Sequence, residues 1–137
     1  MQSIANELPP NSIPFIRAGR IAAPVPASGD TLIAEVDIPL GYDAALKAVV
    51  NSFTGQWRQG SGDLVFRIKT GRVWARGLGN VTVQLGSTAR AWPVPGAYLV
   101  RSQNKIRYYV QNTNSVAIPP GVDRAVCRIE GWFIPRT

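Results

Sequence analysis

Apolar and polar residues alternate with a period of two along most of the chain after Thr31. Leu32, Ala34, Val36 and Ile38 share one parity against Ile33, Glu35 and Asp37, the signature of a half-buried strand. Leu46, Ala48 and Val50 alternate too. A short helix capped by Asp43 would compete there, but the β-branched pair Val49-Val50 favours a strand over Ala44 to Phe53. Leu64, Phe66 and Ile68 alternate with Val65, Arg67 and Lys69, and Gly71 turns the chain into Arg72-Val-Trp-Ala-Arg76. Val81, Val83 and Leu85, then Ala97 to Arg101, then Ile106, Tyr108 and Val110 continue the pattern. Arg124 to Ile134 is the last long strand. Gly60-Ser-Gly62, Gly77-Leu-Gly79, Pro93-Val-Pro95-Gly96, Gln103-Asn104 and Pro119-Pro-Gly121 separate these runs as turns or loops. About eight short strands so spaced predict an all-β fold, an antiparallel β-sandwich of jelly-roll type, with an immunoglobulin-like sandwich as the second choice.

The first thirty residues break the pattern. Pro9, Pro10, Pro14, Pro24 and Pro26 fall there, and proline fixes φ, removes a donor and extends its predecessor. Residues 1–30 are therefore expected to form an extended N-terminal arm, and residues 31–137 the sandwich body. The arm is not plainly solvated, because Ile4, Leu8, Ile13, Phe15, Ile16, Ile21 and Val25 punctuate it. Fully extended, 27 such residues reach about 90 Å, several times the roughly 13 Å radius of gyration of the body. Such anchors must lie on some surface, the chain's own body or a neighbour's, and Ile13, Phe15, Ile16, Ile21 and Val25 are expected as contacts with a neighbouring subunit. The proline-free stretch from Ile16 to Ala23 is the part able to join a ladder there by strand addition.

Composition narrows the chemistry. The 137 residues hold thirteen Gly and eleven Pro, too dense a punctuation for a helix bundle. There is no His and a single Cys, Cys127, which removes Ser-His-Asp and Cys-His catalytic sets, an intrachain disulfide and the usual zinc sites. Cys127 shares strand parity with Ala125 and Ile129 and is expected to be buried and inert. Glu35 and Asp37 could be an acid pair for glycosidase-type work, but carboxylates at i and i+2 on a strand are ordinarily its wet face. No phosphate-binding loop, dinucleotide fingerprint or calcium loop occurs. Asn80-Val-Thr82 matches a glycosylation acceptor by spacing alone. No catalytic residue, cofactor or metal is expected. Nothing approaches the apolar length of a membrane span, and the N-terminus lacks the basic and apolar regions of a secretory signal.

Charge adds one feature. The net charge of +7 divides into a first half, residues 1–63, with four basic and six acidic side chains, and a second half with eleven basic and two acidic. Twelve of the fifteen bases are Arg, suited to bidentate interface contacts. Arg67, Lys69, Arg72, Arg76 and Arg107, interleaved with Trp74, Tyr108 and Tyr109, are expected to form a basic face. That face could meet acidic patches on partner subunits or, as another alternative, nucleic acid. Trp57, Trp74, Trp92 and Trp132 raise a further alternative, a sugar-stacking platform.

The order of several short motifs resembles that of small β-rich structural proteins of tailed-bacteriophage virions, those at decoration, collar or tail-attachment positions. The motifs are Ile38-Pro-Leu-Gly-Tyr-Asp43, Val50-Asn-Ser-Phe-Thr-Gly55, Gly62-Asp-Leu-Val-Phe-Arg-Ile68, Gly79-Asn-Val, Leu85-Gly-Ser87, Tyr108-Tyr-Val-Gln-Asn112 and Glu130-Gly-Trp-Phe-Ile-Pro-Arg136. The resemblance spans roughly residues 32–136. It implies a non-enzymatic building block of the virion, assembled in the host cytoplasm as a homo-oligomer, with a trimer the favoured copy number. Its implied partners are other virion proteins such as a major capsid or portal and collar protein. A carbohydrate-binding tail adhesin and a nucleic-acid-binding β-domain are the alternatives.

Overall fold

A computed structural model describes residues 8–87, 89–101 and 104–136, and all regular structure among them is strand. Ile4 and Gln103, assigned above to the arm and to a turn, lie outside the described residues. Eight strands run in chain order: β1 Ile13–Ile21, β2 Gly29–Asp37, β3 Tyr42–Phe53, β4 Leu64–Thr70, β5 Val73–Trp74, β6 Trp92–Val100, β7 Lys105–Asn112 and β8 Ala125–Pro135. No helix among the described residues is long and apolar enough to cross a membrane.

The strands form two four-stranded antiparallel sheets. Sheet one has the order β1-β8-β3-β6 and sheet two the order β2-β7-β4-β5. The pairs β1·β8, β2·β7, β3·β6 and β4·β5 thus alternate between the sheets. Alternation along each strand sends one parity inward. Phe15, Leu46, Val49, Ile129 and Phe133 of sheet one meet Val36, Phe66, Ile68, Ile106, Tyr108 and Val110 of sheet two in a single core. Gly71, at φ 67°, opens the two-residue loop that joins β4 to β5, a position where a side chain would be strained.

Four expectations change. First, Ile13 to Val25 is no free arm. Residues 13–21 are β1, paired along its whole length with β8, and Val25 bridges Ile118 with hydrogen bonds of 3.0 and 2.9 Å. Proline permits this because β1 is the edge of its sheet, where a missing donor is tolerated. Second, Pro93 and Pro95 lie within β6 instead of a loop, and β6 is the opposite edge of the same sheet. Third, Val81 to Leu85 is not a continuous strand. Val81 bridges Phe66 of sheet two while Leu85 bridges Asn51 of sheet one, so the segment crosses between sheets and cannot follow one ladder. Similarly, the strand expected over residues 72–76 shortens to Val73–Trp74.

Fourth, the alternation of β2 changes phase midway. A register shift between Leu32 and Ala34 marks a β-bulge, so Ile33 and Ala34 are both buried and Leu32 faces out opposite Tyr109. The bulge receives β1 closely: a Cβ built on Gly19 would lie 1.7 Å from the Ile33 carbonyl oxygen. Only glycine lets β1 cross the rim between the sheets at this distance.

Candidate interaction surface

The outer face of sheet two is built from the outward parity of β2, β7, β4 and β5. Antiparallel register places Glu35 opposite Arg107 and Asp37 opposite Lys105, then Arg107 opposite Lys69 and Tyr109 opposite Arg67. Arg107 Nε donates to Glu35 Oε2 at 2.8 Å, and this hydrogen bond is the main reason the guanidinium is raised above its ordinary pKa. Lys105 Nζ lies 3.5 Å from Glu35 and 3.3 Å from Asp37. Arg67 sits 3.5 Å from Asp30, donates from Nε to the Gly79 carbonyl at 3.1 Å, and covers the Trp74 ring at 3.6 Å. Lys69 Nζ lies 5.3 Å from the same ring.

These contacts resolve the charge asymmetry of the sequence. Asp30, Glu35 and Asp37, three of the six acids of the first half, lie on β2, and Arg67, Lys69, Lys105 and Arg107 of the second half lie on β4 and β7, so the sheet sets one group against the other. Of the five residues expected as a basic face, Arg67, Lys69 and Arg107 do share this surface. Arg72 lies in the β4–β5 turn, and Arg76 beyond β5 lines a separate hollow with Leu78, Trp92 and Tyr98. The surface is a lattice of partly exposed ion pairs, which screens its positive charge and contributes little stability.

The outer face of sheet one is different. Here β8 presents Val126, Arg128, Glu130 and Trp132, flanked by Ala18, Ile16 and Pro14 of β1 and by Val50, Ala48 and Ala45 of β3. Leu99 of β6 lies next to Ala45. Arg128 Nε and Glu130 Oε2 are 2.8 Å apart in the middle of the face and neutralise each other. The three β3 residues are small and covered, whereas Ile16 is 62% and Leu99 47% exposed. An apolar surface rimmed by such side chains is the kind that a protein partner covers.

The expected arm anchors divide across this architecture. Phe15 stacks on Phe133 at 4.4 Å and is buried, as is Val25, so both belong to the chain's own core and not to a neighbour's. Ile21 is half-buried against that core. Ile13 and Ile16 remain exposed along the edge strand. The tryptophans are dispersed: Trp57 lies in the β3–β4 connection, Trp74 on sheet two, Trp92 on the β6 edge and Trp132 on sheet one. They build no shared platform. The apolar face was missed in the sequence, although the outward residues Val126, Trp132 and Ile134 signalled a strand apolar on both sides. Cys127 is fully buried, and burial pushes its thiol well above the ordinary pKa. Comparison with known protein families, with curated proteins and with solved structures finds no match to this chain.

Proposed function

We propose that the chain is a structural subunit of a tailed-phage virion, a decoration, cement or collar component without catalytic activity. We read its two sheets as a jelly roll. The support for that reading is the strand order: four nested antiparallel pairs, β1·β8, β2·β7, β3·β6 and β4·β5, fall alternately in the two sheets. Viral capsid subunits, lectins and metal-binding cupins share such an order. A chain without His is a poor cupin, and Glu35 and Asp37 are taken up by Arg107 and Lys105.

The observation that carries the assembly reading is the outer face of sheet one, where the apolar side chains Ile16, Trp132 and Leu99 surround the Arg128–Glu130 pair and Lys47, opposite a sheet whose outer face is a denser charged lattice. Such asymmetry suits a subunit that seats one side on a neighbour and turns the other to solvent. The resemblance in motif order points in the same direction. In this reading the contact runs through Ile16, Trp132 and Leu99, and Phe15 and Val25 hold β1 in place behind them. Residues 13–25 therefore act as part of the body rather than as a detachable arm. Nucleic acid is less well served, because the bases of sheet two already face carboxylates.

Sedimentation velocity of the chain and of its Ile16→Glu and Leu99→Glu variants tests this reading. A self-associating wild type and monomeric, folded variants are expected. A wild type that stays monomeric up to concentrations of about 100 μM, where even weak interfaces form, would count against a homo-oligomer.

A further inference from the structure

The β3–β4 connection borders an open groove of about 720 Å3 that the assembly reading does not use. Its size lies within the roughly 300–1,000 Å3 of small-ligand clefts. Gln56, Trp57, Arg58, Gln59, Asp63 and Gln84 line it.

Three of these side chains are primary amides, each with two N–H donors and a carbonyl acceptor. The Gln59 carbonyl accepts from the Gln84 backbone N–H at 3.3 Å, and the Gln84 amide donates to the Gly86 carbonyl at 3.3 Å. Each amide keeps hydrogen-bonding capacity beyond that contact. Gln56 is exposed and engages no described residue. Trp57 meets Phe66 edge-on at 5.9 Å, so the core holds one side of the indole while the groove receives another.

The charges in the groove cancel. Arg58 Nη2 lies 3.7 Å from Asp63 Oδ1, and the Arg58 backbone N–H donates to Asp63 Oδ2 at 3.2 Å. That backbone hydrogen bond leads the effects that hold the Asp63 carboxyl below its ordinary value, so the pair stays ionised. A phosphodiester or other anion finds no uncompensated cation between these walls, and an acyl chain finds too many amides.

The Gln84 bank is tied to sheet one, and the two banks are tied to each other, before any ligand arrives. Asn51 and Leu85 exchange hydrogen bonds of 3.0 Å, through the Asn51 backbone N–H and its side-chain oxygen, which fixes the residue beside Gln84. The Gly60 N–H donates to the Thr82 carbonyl at 2.7 Å and the Ser61 hydroxyl to the Arg58 carbonyl at 2.6 Å. A rigid groove loses little conformational entropy on binding.

The geometry points to a saccharide-binding site for a neutral oligosaccharide, with Trp57 as the stacking wall and Gln56, Gln59 and Gln84 as the hydroxyl-reading groups. Sugar hydroxyls donate and accept at once, as the amides do. The C–H face of a pyranose packs on an indole as other apolar groups do. The site is independent of whether the chain assembles.

The test is a printed array of neutral and anionic glycans, followed by NMR titration of the 15N-labelled full chain with the strongest neutral hit. The expected result is retention of neutral glycans and shifts concentrated at Gln56, Trp57, Gln59 and Gln84. Gln56→Ala, at an exposed position, should weaken binding about fivefold or more, a loss of roughly 1 kcal/mol. Trp57→Phe keeps an aromatic edge for Phe66 and should also weaken binding while the thermal midpoint reports an intact fold. Retention of no neutral glycan, a preference for anionic glycans alone, or shifts on another surface would overturn the assignment. So would binding unchanged in both variants.

Discussion

The Asn51 side chain donates from Nδ2 to the Tyr108 hydroxyl at 2.8 Å, joining the central strands of the two sheets inside the core. Both residues are almost wholly buried, and the other end of the Asn51 amide accepts the Leu85 N–H. A buried polar group that is fully bonded orients its partners. The same group left unbonded costs the desolvation of whatever it abandons. Tyr108→Phe should therefore destabilise the fold by about 1–3 kcal/mol, and Asn51→Ala by more, since it also strands the Leu85 N–H. Urea unfolding of both variants and the double variant should show coupling of about 0.5–3 kcal/mol. Strict additivity would mean that the bond contributes nothing.

Gly19 should be among the least replaceable positions. Its Cβ would overlap the Ile33 carbonyl at 1.7 Å, and the obstacle is backbone at a bulge. Gly19→Ala is expected to cost about 3 kcal/mol or more by forcing β1 off the rim. Gly41→Ala, which meets nothing within 4 Å but sits at φ 87°, should cost only about 1 kcal/mol. Thermal denaturation of the two variants side by side checks the contrast, and equal losses would refute it.

Cys127 and Tyr108 give the fold an alkaline limit. Burial raises both groups, so the folded chain holds protons that the unfolded chain releases. The stability this contributes is complete below the unfolded thiol value of about 8.5 and is lost as pH rises above it, with a second loss beyond the phenol value of about 10. Urea midpoints should be level below about pH 8 and fall above it. Native protein should also resist a thiol-specific reagent until it unfolds. A thiol that reacts at once in the native state would contradict the burial.

The ion-pair lattice of sheet two predicts weak nucleic-acid binding despite the net charge of +7. A duplex oligonucleotide should elute freely at about 0.1 M salt. Replacing Asp30, Glu35 and Asp37 by their amides frees the bases and should convert the chain to a retained, salt-sensitive binder. Tight, salt-sensitive retention of the wild type would show that the pairing does not mask the face.

Much of this fold was legible as alternation, because a strand with one wet face must repeat every second residue. β4, β7 and β8 follow directly from Leu64–Ile68, Ile106–Val110 and Ala125–Phe133. The departures have physical causes that alternation does not carry. The Ile33 bulge inserts a residue and inverts the phase of Leu32. Pro93 and Pro95 looked like loop signals and Pro14 like part of an extended arm, yet both strands holding them are sheet edges, a property set by the whole topology. The crossing of Val81 to Leu85 between sheets imitates a strand by coincidence of parity. The pairing of charges across the β2·β7 ladder is a long-range contact, so net charge by segment overstated the basic face. The groove lay hidden for a further reason: Gln56, Gln59 and Gln84 are ordinary surface residues until the β3–β4 connection and the Gln84 segment are brought together.

The measurement closest to the central claim is electron cryomicroscopy of purified particles from a phage whose genome encodes this chain, at a resolution that traces β1. The account predicts symmetric copies on the shell or collar, with Ile16, Trp132 and Leu99 covered by a neighbouring subunit and the charged lattice of sheet two turned to solvent. Absence of the protein from purified particles, or its presence with the outer face of sheet one open to solvent, would contradict it.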